Sequence, residues 1–128
     1  MITEDYCSYE VSKLLKEKGF NVPCLAHWHI GNDGHEKFSD YPFNWNEKVK
    51  NDLGWLSCPT HQTAMKWLRK VYDIFIKLEF DVDEDIQWHS SLALIKGNKY
   101  IHTNELQWYD TYEQAVEVAI KYCLENLI

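Results

Sequence analysis

A chain of 128 residues with 45% apolar side chains is long enough to fold as one domain and too apolar to be disordered. Its 13 basic and 20 acidic residues give a net charge of −7. This charge disfavours binding to nucleic acid or to an anionic membrane, because no basic stripe is present to displace counterions. The sequence has no apolar run of roughly 18 residues, so it predicts no membrane span.

The start of the sequence and the cysteine spacing indicate the compartment. Residues 1–6 lack the basic region and the apolar stretch of a signal peptide. The four cysteines are widely scattered, at positions 7, 24, 58 and 123. Without an export signal, this spacing favours reduced thiols over a disulfide framework, and we expect a cytoplasmic protein.

The N-terminal half predicts one helix and one hairpin before its pattern weakens. Residues 3–18 carry apolar side chains at helical spacing, with Thr3 as a cap and Gly19 as the stop. Residues 25–30 and 35–38 predict two strands, joined by a turn at the Gly-Asn-Asp-Gly cluster. Residues 39–57 are rich in aromatic side chains but have no clean period. They predict a loop with one short helix near 47–52.

The C-terminal half shows stronger periodicity. A central helix follows Pro59, with Thr60 as a cap and an apolar stripe that continues towards a strand at 74–80. An acidic turn at 81–85, a strand at 86–94, a second turn and a strand at 100–103 come next. The last helix begins at a capping-box-like pair, Asp110 and Glu113.

This order of elements, α-β-β-α-β-β-β-α, predicts an α+β fold. We expect a largely antiparallel sheet of four to five strands, with three helices packed mainly on one face. No linker, repeat or low-complexity segment interrupts the sequence, so we predict a single domain over residues 1–128.

Three segments that contain the predicted helices carry a family resemblance. They read YEVSKLLKEKGF at 9–20, PTHQTAMKWLR at 59–69 and YDTYEQA at the start of 109–128. These segments are similar to a family of small proteins from gut Bacteroides-type bacteria and their phages. The resemblance implies no activity, cofactor or site residue; it implies a mobile-element or accessory role.

Two C-x-x-H pairs are the most specific motif for a metal site. Cys24 with His27 and Cys58 with His61 could together close a tetrahedral zinc site, and His29 is a spare ligand. The other interpretation is that both cysteines are small buried residues and that His61 is a polar group in the first turn of a helix.

The histidines of the first predicted strand suggest a catalytic alternative. Alternate residues of a strand face the same side, so His27 and His29 could share one pocket as the general base of a small hydrolase or transferase. No nucleophile elbow, P-loop or zincin motif accompanies them. Six histidines in the chain also make some clustering of exposed side chains expected by chance.

The acidic turn imitates the opening of a calcium loop through Asp81, Asp83 and Asp85. The sixth position of such a loop is Ile86 instead of Gly, and the twelfth is Leu92 instead of Glu. The turn therefore lacks the residue that bends a calcium loop and its bidentate ligand, and we interpret it as a solvated turn.

The aromatic content, with six Trp and eight Tyr, exceeds what three helical stripes need. Trp28, Trp45, Trp55 and Trp88 are candidate binding residues, which could line a groove for a protein partner or for a second copy of the chain. They could instead fill the second side of the sheet. The leading hypothesis is a non-enzymatic interaction module without a cofactor; a zinc-stabilised domain and a His27/His29 enzyme are the alternatives.

Overall fold

The structure is a computed structural model that describes residues 2–96, 99–102 and 107–128. Its contacts group the chain into two compact units, Met1–Gln62 and Thr63–Ile128. The first unit contains α1 (Tyr9–Glu17), β1 (Ala26–Ile30), β2 (Glu36–Ser39), α2 (Trp45–Lys48) and β3 (Trp55–Cys58). Helix α3 (His61–Tyr72) begins at the end of that unit, and the second unit continues with β4 (Ile74–Val82), β5 (Ile86–Lys96), β6 (Lys99–His102) and α4 (Tyr112–Asn126).

The α+β class and the antiparallel pairing are confirmed. The strands, however, form two sheets of three, in the orders β2-β1-β3 and β4-β5-β6, rather than one sheet of four to five strands. Strand β3, which begins in the stretch predicted as a loop, is an additional strand and pairs with β1. None of the described helices is long and apolar enough to cross a membrane.

Helix α1 starts later than the sequence predicts. Its N-cap is Ser8, whose Oγ accepts a hydrogen bond from the backbone N–H of Val11 at 3.2 Å, and not Thr3. The residues before it pair with a distant segment instead: Tyr6 forms an antiparallel bridge with Thr60, and the backbone N–H of Cys7 donates to the carbonyl of Pro59 at 3.0 Å. Gly19, with φ 90, ends the helix as predicted, since positive φ favours glycine.

The two faces of the first sheet carry different side chains. Residues directly opposite each other in an antiparallel pair face the same side, so Trp28 and Leu56 share one face. His27 with Ser57, and His29 with Trp55, share the other. Helix α1 packs against β3, and the preceding segment contacts the first face, where Trp28 Nε1 donates to the carbonyl of Cys7 at 3.1 Å.

Two buried polar side chains connect the segments of this unit. Lys16 Nζ donates to the backbone carbonyls of Val49, Asp52 and Trp55, the latter two at 2.6 and 2.9 Å. On α2, Asn46 exchanges two hydrogen bonds with Ser57 and donates a third to the carbonyl of Phe20. The polypeptide around α2 is thereby fixed by polar contacts, which explains why its sequence lacks a clean apolar period.

The second unit is built around the long hairpin of β4 and β5. Asp73, with φ 55, turns the chain directly from α3 into β4. Strands β4 and β5 pair from Ile74 opposite Leu94 to Val82 opposite Ile86. Helix α4 is capped by Thr111, whose Oγ1 accepts from the backbone N–H of Gln114, and it packs on β4 and β5.

Candidate functional site

The four residues of the predicted zinc site do not converge. No three of Cys24, His27, Cys58 and His61, all of them described residues, place their ligand atoms within 4.8 Å of one another. The register explains this: Cys58 lies opposite Ala26 on β1, so it faces the side away from His27. Cys58 Sγ instead donates to the carbonyl of Cys7 at 3.2 Å.

All four cysteine thiols are buried, and for two of them burial also raises the pKa. All four cysteines are described residues and none is joined in a disulfide. Burial raises the pKa of the Cys24 thiol to about 12, with a smaller contribution from Cys58. Burial also raises the pKa of Cys123 to about 12. Because the thiolate is the reactive form, these two groups stay protonated and unreactive near neutral pH.

His27 and His29 face the same side of β1, as predicted, with their ring centroids 5.4 Å apart. Their neighbours are aromatic, because Trp55 stacks on both imidazoles at 5.7 and 5.1 Å. Burial lowers the pKa of His27, as does the proximity of His29, against a hydrogen bond to the backbone of Tyr41. The Nδ1 atoms of both histidines are buried without a hydrogen-bond partner among the described residues. The burial of His27 among aromatic rings therefore favours the neutral form of its imidazole.

Three of the four candidate binding tryptophans belong to the packing of the first unit. Trp28 is half-buried between Tyr9 and Phe38. Trp45 stacks on Trp55 with ring centroids 4.6 Å apart, and both are half-buried. Trp45 and Trp55 lie on the same side of this sheet as His27, whereas Trp28 lies on the other side.

Trp88, the fourth candidate, marks the border between a buried and an exposed part of one sheet face. Its ring contacts Tyr112, the first residue of α4, at 5.2 Å. At the end of the hairpin far from the turn, Ile74 and Leu92 on this face are fully buried. Towards the turn, three apolar side chains are exposed: Phe80 at 61%, Val82 at 59% and Ile86 at 54%.

These three side chains form one surface, which we name the hairpin-tip face. Phe80 pairs with Trp88, and Val82 pairs with Ile86, so the register places all of them on the same side of the hairpin. Phe80 contacts Trp88, with ring centroids 5.2 Å apart. Helix α4 begins at the level of Trp88 and leaves the tip uncovered.

The opposite side of the hairpin tip is acidic and polar. A cavity of about 250 Å³ is lined there by Trp108, Gln87 and three carboxylates, those of Asp81, Asp83 and Asp85. Beside it, Trp108 lies over His89 with ring centroids 4.0 Å apart, and His89 Nε2 is 3.4 Å from Glu79 Oε2. The tip therefore presents an apolar side and an acidic side.

The sequence pattern alone does not identify the hairpin-tip face. It placed Phe80 in a strand and Ile86 at the start of another, but exposure depends on where α4 begins relative to the hairpin. A usable signal was present nonetheless: the apolar alternation continues through a stretch, residues 79–85, with five carboxylates and no Lys or Arg. Apolar residues interleaved with so many carboxylates are unusual for a strand end that packs internally.

No protein family model matches this chain, and neither a curated protein nor a solved structure does. The function therefore has to be inferred from the geometry of the described residues.

Proposed function

We propose that the protein is a non-enzymatic interaction module that binds a segment of another protein through the hairpin-tip face. The observation that carries the proposal is the change from buried to exposed apolar side chains along one side of the β4–β5 hairpin. Ile74 and Leu92 are fully buried, whereas Phe80, Val82 and Ile86 each keep more than half of their surface exposed. A contiguous exposed apolar patch with a charged rim is typical of a protein-binding site.

The charge around the hairpin-tip face indicates the chemistry of the partner segment. Residues 79–85 contribute five carboxylates, and the whole chain carries a charge of −7. A partner segment that combines apolar with basic side chains complements both properties of the tip. A second copy of the chain would instead bring a like-charged tip to the same surface, which weakens self-association at low salt.

The expected affinity follows from the exposed area. Full burial of a large apolar side chain contributes about 1.5–3 kcal/mol, and each tip side chain has about half of that still to gain. Loss of the Phe80 ring from the interface should therefore cost about 1.4 kcal/mol, which corresponds to about tenfold in Kd.

The test uses a short synthetic peptide of Leu and Lys as the probe and fluorescence anisotropy as the measurement. We expect Phe80→Ser to weaken peptide binding about tenfold. Leu25→Ser is the matched control, because Leu25 has the same 61% exposure in the other unit and should leave binding unchanged. A peptide of Ser and Lys controls for attraction by charge alone. Equal binding by the parent chain and Phe80→Ser would overturn the proposal.

The assembly state gives an independent check of the proposed partner. Light scattering should find the purified chain monomeric at micromolar concentration. A dimer that Phe80→Ser dissociates would show that a second copy, and not another protein, covers the hairpin-tip face.

Two broader expectations accompany this proposal. The buried thiols support a cytoplasmic location, because reduced thiols persist in that compartment. A mobile-element or accessory role rests on the sequence resemblance alone.

A further inference from the structure

Strand β4 lies at the edge of its sheet. The order of the described strands is β4-β5-β6, so β4 pairs with β5 on one side only. Its last residues, from Phe80 to Val82, are exposed, and they carry the apolar side chains of the hairpin-tip face. An exposed edge strand presents unpaired backbone groups to which another extended segment can hydrogen-bond.

The proposed function leaves open how the partner segment binds. We infer that the segment adds to the edge of β4 as a further strand, in which apolar and basic residues alternate. An added strand places successive side chains on opposite sides of the sheet. Its apolar residues then lie against Phe80 and Val82, and its basic residues lie on the side of Asp81 and the acidic cavity. This inference rests on the proposed function and specifies the binding mode and the partner class.

The alternation of β4 itself supports this geometry. Leu78, Phe80 and Val82 face one side of the strand, whereas Glu79 and Asp81 face the other. A helix would present one apolar stripe and could cover only the apolar side. An extended segment meets both sides at once, because its own side chains alternate with the same period.

Self-pairing through the exposed half of β4 is opposed by charge. An antiparallel pair of two β4 strands centred on Asp81 would place Asp81 opposite Asp81 of the other copy. It would also place Glu79 opposite Asp83. Lys77 would lie opposite Asp85, which is an attractive pair, but the acidic contacts at the centre of the paired segment outnumber it. Like charges directly opposite each other destabilise a strand pair, so the acidic residues disfavour a second copy and favour a basic strand.

The inference is tested with three peptides of Leu and Lys on the full chain. The first alternates Leu and Lys, and the second has the same composition with Leu at helical spacing. The third repeats the first with alternate backbone nitrogens methylated. We expect the alternating peptide to bind about tenfold more tightly than the other two. It should also protect from hydrogen exchange the backbone amide of Phe80, which points away from β5.

A charge variant tests the partner class. Asp81→Asn retains the Oδ1 atom that accepts from the backbone N–H of Val82 at 2.8 Å, while the carboxylate charge is lost. We expect it to weaken the alternating peptide about threefold at low salt and less at high salt. Unchanged affinity would overturn the requirement for a basic partner.

The outcomes separate the binding mode from the function. If the helical-order peptide binds as tightly as the alternating one, or if methylation has no effect, strand addition is wrong and the proposed function stands. If no peptide binds, or if Phe80→Ser binds as the parent does, the proposed function fails as well.

Discussion

The ammonium group of Lys16 offers the most direct test of what holds the first unit together. Lys16 lies near the end of α1, is about nine-tenths buried, and donates to the carbonyls of Val49, Asp52 and Trp55. Three carbonyls from one short segment thus meet a single cation. The substitution Lys16→Met keeps an unbranched apolar chain of similar length but removes all three donors.

The magnitude follows from the strength of these bonds and the cost of burying the charge. A hydrogen bond to a charged group contributes about 1.5–3 kcal/mol. Burial lowers the pKa of Lys16, against the attraction of Asp52, so part of that gain is offset by desolvation. Counting the bonds to Asp52 and Trp55 at the lower end of the range, we expect Lys16→Met to lower the free energy of unfolding by about 3 kcal/mol. For a chain of this size the corresponding fall in Tm is about 12 °C.

Urea titration with tryptophan fluorescence measures this change, and circular dichroism supplies Tm. Lys13→Met is the matched control, because it removes one positive charge from the same helix without a bond to these carbonyls. It should lower the free energy of unfolding by less than about 0.5 kcal/mol. Equal losses in the two variants would refute a stabilising role for the three carbonyl contacts.

Substitutions at three further positions test separate features of the fold. Asp73 has φ 55, so Asp73→Gly should raise the free energy of unfolding by about 0.5–1 kcal/mol in urea, whereas Asp73→Val should lower it. Asn46→Ala should lower it by about 2 kcal/mol, because the N–H of Ser57 and the carbonyl of Phe20 lose buried partners. The exposed control Asn51→Ala should change it by less than about 0.5 kcal/mol. Burial lowers the pKa of His27 below 6.5, so the unfolded chain binds more protons than the native one just below that pH. Stability should therefore fall as pH falls through this window, and His27→Phe should flatten the dependence of the urea midpoint on pH.

The elements that sequence predicted well carry their own local signals. Helix α4 has a long apolar face, although its cap is Thr111 and not the predicted Asp110, and α1 ends at a glycine with positive φ. The start of α1 was wrong because Thr3 and Ser8 are both competent caps. The choice between them depends on the pairing of Cys7 with Pro59, a contact between residues far apart in sequence.

Strand β3 could not be recognised from its sequence because both of its sides are buried. Trp55 and Ser57 contact α2, while Leu56 and Cys58 face the side of Trp28 and Cys7. A strand that is covered on both faces loses the apolar-polar alternation that marks a half-exposed strand. This omission also produced the predicted zinc site, because Cys58 and His27 can be assigned to opposite faces only once β3 is paired with β1.

The charge of the hairpin tip is best explained by two requirements on the same edge strand. An exposed edge with apolar side chains invites uncontrolled pairing, and natural proteins oppose this with charged residues. Acidic and basic residues would protect β4 equally well, yet residues 79–85 use only acidic ones. The carboxylates repel an identical strand and attract a basic one. The same acidic residues therefore both limit self-association and select the partner. The consistent sign therefore favours a binding edge over an edge that is merely protected.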